Sequence, residues 1–236
     1  MNYSLKFRPL FRQTASLVTV TLLSGLSLVG CNSTPPAATT VPATPQAEAS
    51  ATPVAHTESV TLKNLQAAYN GESNAHARYL AFAKQATDEG YLQAASLFNA
   101  AADAEAIHAA NHATVIRKFG GTPQAKIETP TIKSTAENLQ EAIKGESYER
   151  DTMYPEFIKQ ARAEGNKEAV VTFTYAVDAE KQHAKFYTLA QNNLADWQEA
   201  KMTFYVCPEC GFTTNALDFT NCPDCNTAEN LFFSVS

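Results

Sequence analysis

The sequence predicts a mainly α protein: a four-helix bundle with a long crossover, followed by a small four-cysteine domain. Three observations predict it. Between residues 59 and 194 only six glycines occur, and apolar residues recur at helical spacing, as in Leu62, Leu65 and Tyr69 and again in Leu139 and Ile143. The same stretch repeats itself at an offset of 74 to 75 residues. Two C-x-x-C pairs, Cys207/Cys210 and Cys222/Cys225, end the chain.

Composition bounds the function. With 236 residues and 44% hydrophobic content, the chain can bury a substantial core. The formal charge of -6 argues against a general nucleic-acid binder. Five cysteines are an odd count, so not every thiol has a partner within the chain.

Residues 1–30 read as an address. Lys6, Arg8 and Arg12 precede an uncharged apolar run from Ala15 to Gly30. That is the basic-then-apolar order of a secretory signal, and it is short of the ~20 residues a spanning helix needs. It ends in Leu28-Val29-Gly30-Cys31, which resembles a bacterial lipobox. The expectation is cleavage before Cys31, lipid on that residue, and a protein anchored to a bacterial membrane on its periplasmic side. All 24 acids follow Cys31 and three of the 18 basic residues precede it, so a chain starting there carries -9. Residues 31–58, rich in Pro, Ala and Thr and without an aromatic residue, read as a tether.

Residues 59–195 form the bundle. Helices are predicted over about 60–89, 91–119, 135–164 and 166–193, with Gly90 and Gly165 at the turns inside each hairpin and a capping box from Ser134 to Glu137. Asn64-Leu65-Gln66 and Gly71-Glu72-Ser73 recur 74 residues later as Asn138-Leu139-Gln140 and Gly145-Glu146-Ser147. Tyr79, Glu89-Gly90, Asp103, Glu105 and His108 recur 75 residues later as Tyr154, Glu164-Gly165, Asp178, Glu180 and His183. The extra residue falls within 148–153, and a one-residue insertion in a helix is commonly absorbed as a π-bulge. The connection 120–134 has fifteen residues. Extended, it spans about 50 Å, enough to run back along a thirty-residue helix of about 45 Å.

The repeated residues are metal donors. Glu105-x-x-His108 and Glu180-x-x-His183 each place a carboxylate and an imidazole on one helix face, and Glu72 and Glu146 add one carboxylate from each remaining helix. This is the donor set of ferritin-like di-iron bundles. Oxygen-rich ligation with two imidazoles suits iron or manganese. Glu149 has no counterpart in the first half and is the candidate movable ligand; Tyr79 and Tyr154 are either hydrogen-bond partners of ligand carboxylates or packing residues. His76 and His112 lack matching residues in the other half and read as solvent-facing or as neighbours of the ligands. Asp103 and Asp178, each two residues from a ligand glutamate, read the same way. Residues 202–236 hold the four thiolates Cys207, Cys210, Cys222 and Cys225, spaced for tetrahedral Fe or Zn, with zinc the commoner occupant of an isolated motif of this kind. Gly211 and Asn226 follow the two knuckles and tolerate positive φ. Tyr205, Phe212, Phe219, Phe232 and Phe233 are available to wall a small core.

In this order, a duplicated Glu/His bundle and then C-x-x-C, eleven residues and C-x-x-C, the chain resembles rubrerythrin over about residues 58–236. Gly71-Glu72-Ser73, Glu105-x-x-His108, Gly145-Glu146-Ser147-Tyr148-Glu149 with Met153-Tyr154-Pro155-Glu156-Phe157, and Glu180-x-x-His183 carry the resemblance. It implies a ferritin-like bundle with two Fe ions, bridged by Glu105 and Glu180, with Glu72 and Glu146 terminal. His108 and Glu149 would exchange on one iron with redox state, and His183 would stay on the other. It makes the C-terminal domain rubredoxin-like, with one Fe ion in place of zinc. The implied reaction reduces hydrogen peroxide to water for oxidative stress protection, with electrons from a donor the sequence does not name. Family members commonly form homodimers that bring one subunit's rubredoxin-like iron near the other's di-iron site. The export signal departs from a mostly cytosolic family, and Asn226 stands where a second glycine is usual. The other readings are a ferroxidase or iron-handling protein, and an electron-transfer module with zinc on the four cysteines.

Overall fold

The computed structural model describes residues 59–198 and 200–236. The leader, Cys31 and the tether lie outside the described residues. Among the described residues, no helix is long and apolar enough to cross a membrane.

Four helical rods form the bundle. Helix α1 (Val60–Asp88) and α2 (Leu92–Lys118) make the first hairpin. The second pairs α5 (Lys167–Asn192) with a rod built from α3 (Thr135–Tyr148), a π-helical turn (Glu149–Met153) and α4 (Tyr154–Ala163). The π turn lies where the repeat offset places the extra residue. Gly90 and Gly165 take φ of +85° and +74° at the hairpin turns, a conformation that costs a Cβ-bearing residue about 1–2 kcal/mol. Ser134 and Glu137 form the capping box.

The crossover runs the length of α1. Gln66, Asn70 and Asn74, one turn apart on that helix, hold it by side-chain amides. Gln66 Nε2 donates to the Thr122 carbonyl at 2.7 Å, Lys126 N–H to Asn70 Oδ1 at 2.9 Å and Glu128 N–H to Asn74 Oδ1 at 2.8 Å. At the far end Thr135 N–H reaches Glu89. An extended segment has no ladder of its own, so these amides satisfy backbone groups the connection would otherwise leave to water.

Alanines let the helices approach, and large side chains fill the space on either side of the polar middle. Tyr79, Phe82, Phe98 and Tyr187 cluster toward one end; Tyr154, Phe157 and Phe173 cluster toward the other.

The C-terminal domain holds a three-stranded antiparallel sheet in the order β2–β1–β3, from β1 (Phe204–Val206), β2 (Thr213–Thr214) and β3 (Phe233–Val235). Phe204 and Val206 sink into the bundle's own core, where Phe204 meets Phe186 edge-on at 5.4 Å. Phe212, Phe219 and Phe232 cover the cysteines. Phe233 does not join them and is 38% exposed: it stands opposite Val206 on the edge strand β3, on the sheet face turned toward the bundle core rather than toward the cysteines.

Candidate metal centre

The repeat brings its donors to one buried point. Glu72, Glu105, His108 and Glu180 offer ligand atoms within 4.8 Å of one another, and so do Glu105, Glu146, Glu180 and His183. The two sets share Glu105 and Glu180, which is the arrangement of two metal positions with two bridging carboxylates. All six residues are fully or almost fully buried. One oxygen on each of Glu72, Glu105, Glu146 and Glu180 has no hydrogen-bond partner. Buried, unpartnered carboxylate oxygens are costly unless a cation meets them. These four, converging with two imidazoles, fit a dimetal centre.

Each imidazole turns Nδ1 inward. His108 Nδ1 lies 2.9 Å from Glu105 and 3.2 Å from Glu180; His183 Nδ1 lies 2.8 Å from Glu180 and 3.4 Å from Glu105. The outer nitrogens explain why. His108 Nε2 donates to the Cys210 carbonyl at 3.1 Å. His183 Nε2 donates to Thr213 Oγ1 at 3.1 Å, since the Thr213 hydroxyl proton goes to the Gly211 carbonyl. With the proton fixed on Nε2, the Nδ1 lone pair is free for a metal.

Electrostatics point the same way. Burial and neighbouring acids, Glu149 first, hold Glu72 well above the usual carboxylate range. Burial and then the charge of Glu180 do the same to Glu146. Burial opposes charge on His108 too, but the bridging carboxylates overcome it and push the imidazole up to about 9. Glu180 is held well below its usual range although burial opposes it, because Glu146 and both imidazoles hydrogen-bond its charged form. Without metal the site is short of positive charge.

Three expected residues fall differently. Glu149 belongs to neither set; its Oε1 lies over Gly71, 4.0 Å from where a Cβ there would stand. It sits at the start of the π turn, where the ladder is looser, and burial followed by the charges of Glu180 and Glu105 raises its carboxyl. Tyr79 and Tyr154 bond ligand carboxylates, but across the repeat. Tyr79 donates to Glu146 Oε1 at 2.5 Å, and Tyr154 donates to Glu72 Oε1. Each lies about two turns from its own repeat's glutamate, roughly 10 Å along the axis, and its ring crosses to the opposing helix instead.

His76 is half-buried on the Ala102 carbonyl at 2.7 Å. Asp178 pairs with Lys181 at 2.5 Å, and Asp103 is half-buried. His112 is not solvent-facing. It is fully buried, with Nε2 3.1 Å from the Tyr154 hydroxyl and Nδ1 2.9 Å from Thr172 Oγ1. Thr172, Thr213 and the Cys210 carbonyl carry no motif that marks them in the sequence. Nor does His112, which has Tyr187 rather than a histidine 75 positions on.

The four cysteines form a second site. The Sγ atoms of Cys207 and Cys225 are 3.5 Å apart and those of Cys210 and Cys222 are 3.6 Å apart, all as free thiols. A tetrahedral metal with bonds of about 2.3 Å separates its sulfurs by about 3.8 Å. The knuckles repeat one another. Gly211 N–H donates to Cys207 O, and Asn226 N–H donates to Cys222 O, each at 3.0 Å. Both turns need positive φ, +79° at Gly211 and +66° at Asn226. Asparagine tolerates that region, so the missing second glycine does not disturb the turn.

The sequence matches the Rubrerythrin family over residues 63–191. The chain belongs to the rubrerythrin family. Nigerythrin of Nitratidesulfovibrio vulgaris is 42% identical over 173 residues, covering 73% of this chain and 85% of the relative. Rubrerythrin-2 of Clostridium acetobutylicum is 38% identical over 176 residues, covering 73% and 95%. A structure of fully reduced, all-ferrous nigerythrin superimposes with a TM-score of 0.69 at 39% identity, over 77% of this chain and 91% of that one. Bacterioferritin of Mycobacterium tuberculosis, at 21% identity and TM-score 0.53 over 58% of this chain and 86% of that one, shows the shared bundle fold. Here the four-cysteine domain's Cys210–Thr213 segment contacts both histidines of its own chain.

Proposed function

We propose that this rubrerythrin is a membrane-tethered peroxide reductase. Glu72, Glu105, His108, Glu146, Glu180 and His183 hold two irons, and the four cysteines hold a third. Two ferrous ions held there would supply both electrons that cleavage of the O–O bond requires. Two protons complete the conversion of one hydrogen peroxide to two waters. The chain's own residues set the stage: Tyr79 and Tyr154 orient the terminal glutamates, and Cys210 and Thr213 fix the imidazole tautomers. Glu149, at the start of the π turn, would be the residue to exchange with His108 on one metal as the charge of the pair changes. Arg78 lies close enough to favour its charged form meanwhile.

The observation that carries the reading is the contact between Cys210 O and His108 Nε2. That contact between the four-cysteine cluster and a donor of the paired site supports an electron relay from one to the other, and an iron-storage shell needs no such neighbour. The test mixes reduced, iron-loaded protein with one equivalent of hydrogen peroxide under anaerobic conditions. Rapid, stoichiometric oxidation is expected. Slow reaction with peroxide together with fast reaction with O2 would sink the proposal in favour of a ferroxidase. A red, iron-type spectrum from the four-cysteine site is expected; a colourless site would mean zinc and no relay.

The proposal extends to place and assembly. Lipid on Cys31 tethers the enzyme to a bacterial membrane, facing the periplasm, where its electron donor differs from a cytosolic reductase. Membrane fractionation of the full chain against Cys31→Ser tests this; a membrane-bound Cys31→Ser protein overturns it. A homodimer is expected, and a monomer by sedimentation at micromolar concentration would refute it.

A further inference from the structure

Most directions into the metal centre are filled. Rings such as Phe98 and Tyr187 plug one end of the bundle, and Tyr154 and Phe173 plug the other. Within each hairpin the helices approach on buried alanines such as Ala75, Ala104, Ala142 and Ala179. Between α2 and α5 the C-terminal domain caps both imidazoles. The remaining direction is the seam where α1 lies beside α3 and the π turn. Here both halves of the repeat carry a glycine, Gly71 and Gly145, each directly before a donor glutamate.

Both glycines sit inside helices, where glycine is less stable than alanine. Neither is forced there by crowding. A Cβ on Gly71 would stand 4.0 Å from Glu149 Oε1, and one on Gly145 would stand 3.9 Å from Arg78 Nη2 and 4.0 Å from the Tyr79 hydroxyl, so alanine fits at both. What the glycines preserve is a gap about one methyl deep between each helix backbone and a charged side chain facing it. Arg78 also faces outward. It borders a cavity of about 190 Å³ between the crossover and the seam, lined by Asn74, Glu128, Pro130 and Glu141. Its guanidinium carbon lies 5.3 Å from the centre of the Tyr79 ring, and its buried Nε has no hydrogen-bond partner. From the outside inward the order is cavity, Arg78, glycine gap, and then Tyr79 with the Glu146 it holds at 2.5 Å.

We propose that substrate enters through this seam, and that Gly71, Gly145 and Arg78 restrict it to small hydroperoxides. The inference rests on the peroxide reading above and adds its substrate class. A gap one methyl deep passes two linked oxygens end-on and stops a branched alkyl group. The cavity suits an uncharged molecule that both donates and accepts hydrogen bonds, because Arg78 offers N–H groups while Glu128 and Glu141 offer acceptors. The three residues act on passage and touch no reacting atom, so their removal changes how fast a ligand arrives and leaves rather than how tightly it is held.

The test uses the full, iron-loaded chain and two readouts. The first is azide binding to the oxidised protein, followed by stopped-flow absorption. In the double variant Gly71→Ala, Gly145→Ala the on-rate and off-rate should fall together, by about tenfold or more, with Kd unchanged. The second is oxidation of the reduced protein by hydrogen peroxide and by tert-butyl hydroperoxide. The double variant should slow with hydrogen peroxide by the same factor, and Arg78→Ala should raise the rate with tert-butyl hydroperoxide relative to hydrogen peroxide about tenfold. Unchanged azide rates in the double variant would overturn the proposal. So would a changed Kd at constant on-rate, which would mean that the glycines shape the site and not the way in, or a wild type that binds no azide. If azide slows as expected but wild type reacts sluggishly with hydrogen peroxide, the passage stands and the peroxide reading fails. If wild type oxidises rapidly and azide ignores both glycines, the peroxide reading stands and the passage is refuted. Should the double variant not fold by circular dichroism, each single variant decides by the same criterion.

Discussion

Glu89 and Glu164, one repeat apart, each cap the leading helix of the other hairpin. Glu89 accepts from Thr135 N–H at 2.8 Å at the start of α3. Glu164 accepts from Val60 N–H at 3.0 Å and Thr61 N–H at 3.2 Å at the start of α1. Helix N-termini leave N–H groups unpaired and favour negative charge, so the two acids lock the hairpins together at opposite ends.

Their acidity gives the first prediction. Hydrogen bonds to the charged form, led by Thr135 for Glu89 and Ser59 for Glu164, hold both carboxyls below the usual range. A lowered folded pKa adds stability above the unfolded value, and that stability is lost as pH falls through the folded value. Glu164→Gln should therefore cost about 1 kcal/mol at neutral pH, the figure being kept small because the site is exposed. The difference from wild type should shrink as pH falls below the usual glutamate range and vanish once the folded carboxyl is protonated. Urea melts of both proteins across pH 3 to 7 check this; a pH-independent difference would refute the charged cap.

The π turn gives the second. Removing Arg150 restores the 74-residue register of the repeat and allows a straight α-helix. The bundle should still fold, with unchanged far-ultraviolet circular dichroism, but Glu149 rotates away from the pair. Peroxide-driven oxidation of the reduced protein should slow about a hundredfold, the order expected for a misplaced reacting group. A deletion variant with wild-type kinetics would show that the turn has no part in the reaction.

Gly211 gives the third. A Cβ there would meet His108 Nε2 at 2.4 Å, and the backbone φ is +79°. Gly211→Ala should destabilise the docked domain by about 1–3 kcal/mol and push it off the bundle. The thiolate-iron spectrum should persist, because the cysteines are untouched, while electron transfer from that site to the pair slows. Stopped-flow at the thiolate band reads this directly.

The crossover strap gives the fourth. Asn74 both donates to Lys126 O at 3.0 Å and accepts from Glu128 N–H at 2.8 Å. Asn74→Ala should cost about 1–2 kcal/mol and open residues 120–134 to proteolysis, which limited trypsin digestion with mass spectrometry would locate. Unchanged cleavage would mean that Gln66 and Asn70 suffice.

The helices, the caps, the crossover, the π turn and the convergence of Glu72, Glu105, His108, Glu146, Glu180 and His183 were legible from one sequence, because duplication writes each functional position twice. What was not legible is whatever depends on a side chain crossing between rods. Nothing in the spacing of Tyr79 and Tyr154 says that each serves the opposite glutamate. His112 has the same cause. Its burial comes from Tyr154 and Thr172, 42 and 60 residues away. The outer partners of His108 and His183 are invisible for a simpler reason: one is a backbone carbonyl, which every residue has.

The crossed tyrosines bear on how such a chain arises. Because Tyr79 finishes the site of Glu146 and Tyr154 that of Glu72, neither hairpin holds a complete centre, as would be true of two identical hairpins meeting across a twofold axis. While two such copies come from one gene, any change appears on both sides at once. Joining them in one chain removes that constraint, and the His112–Tyr187 and Thr172–Leu97 differences are changes that only a joined chain can keep on one side.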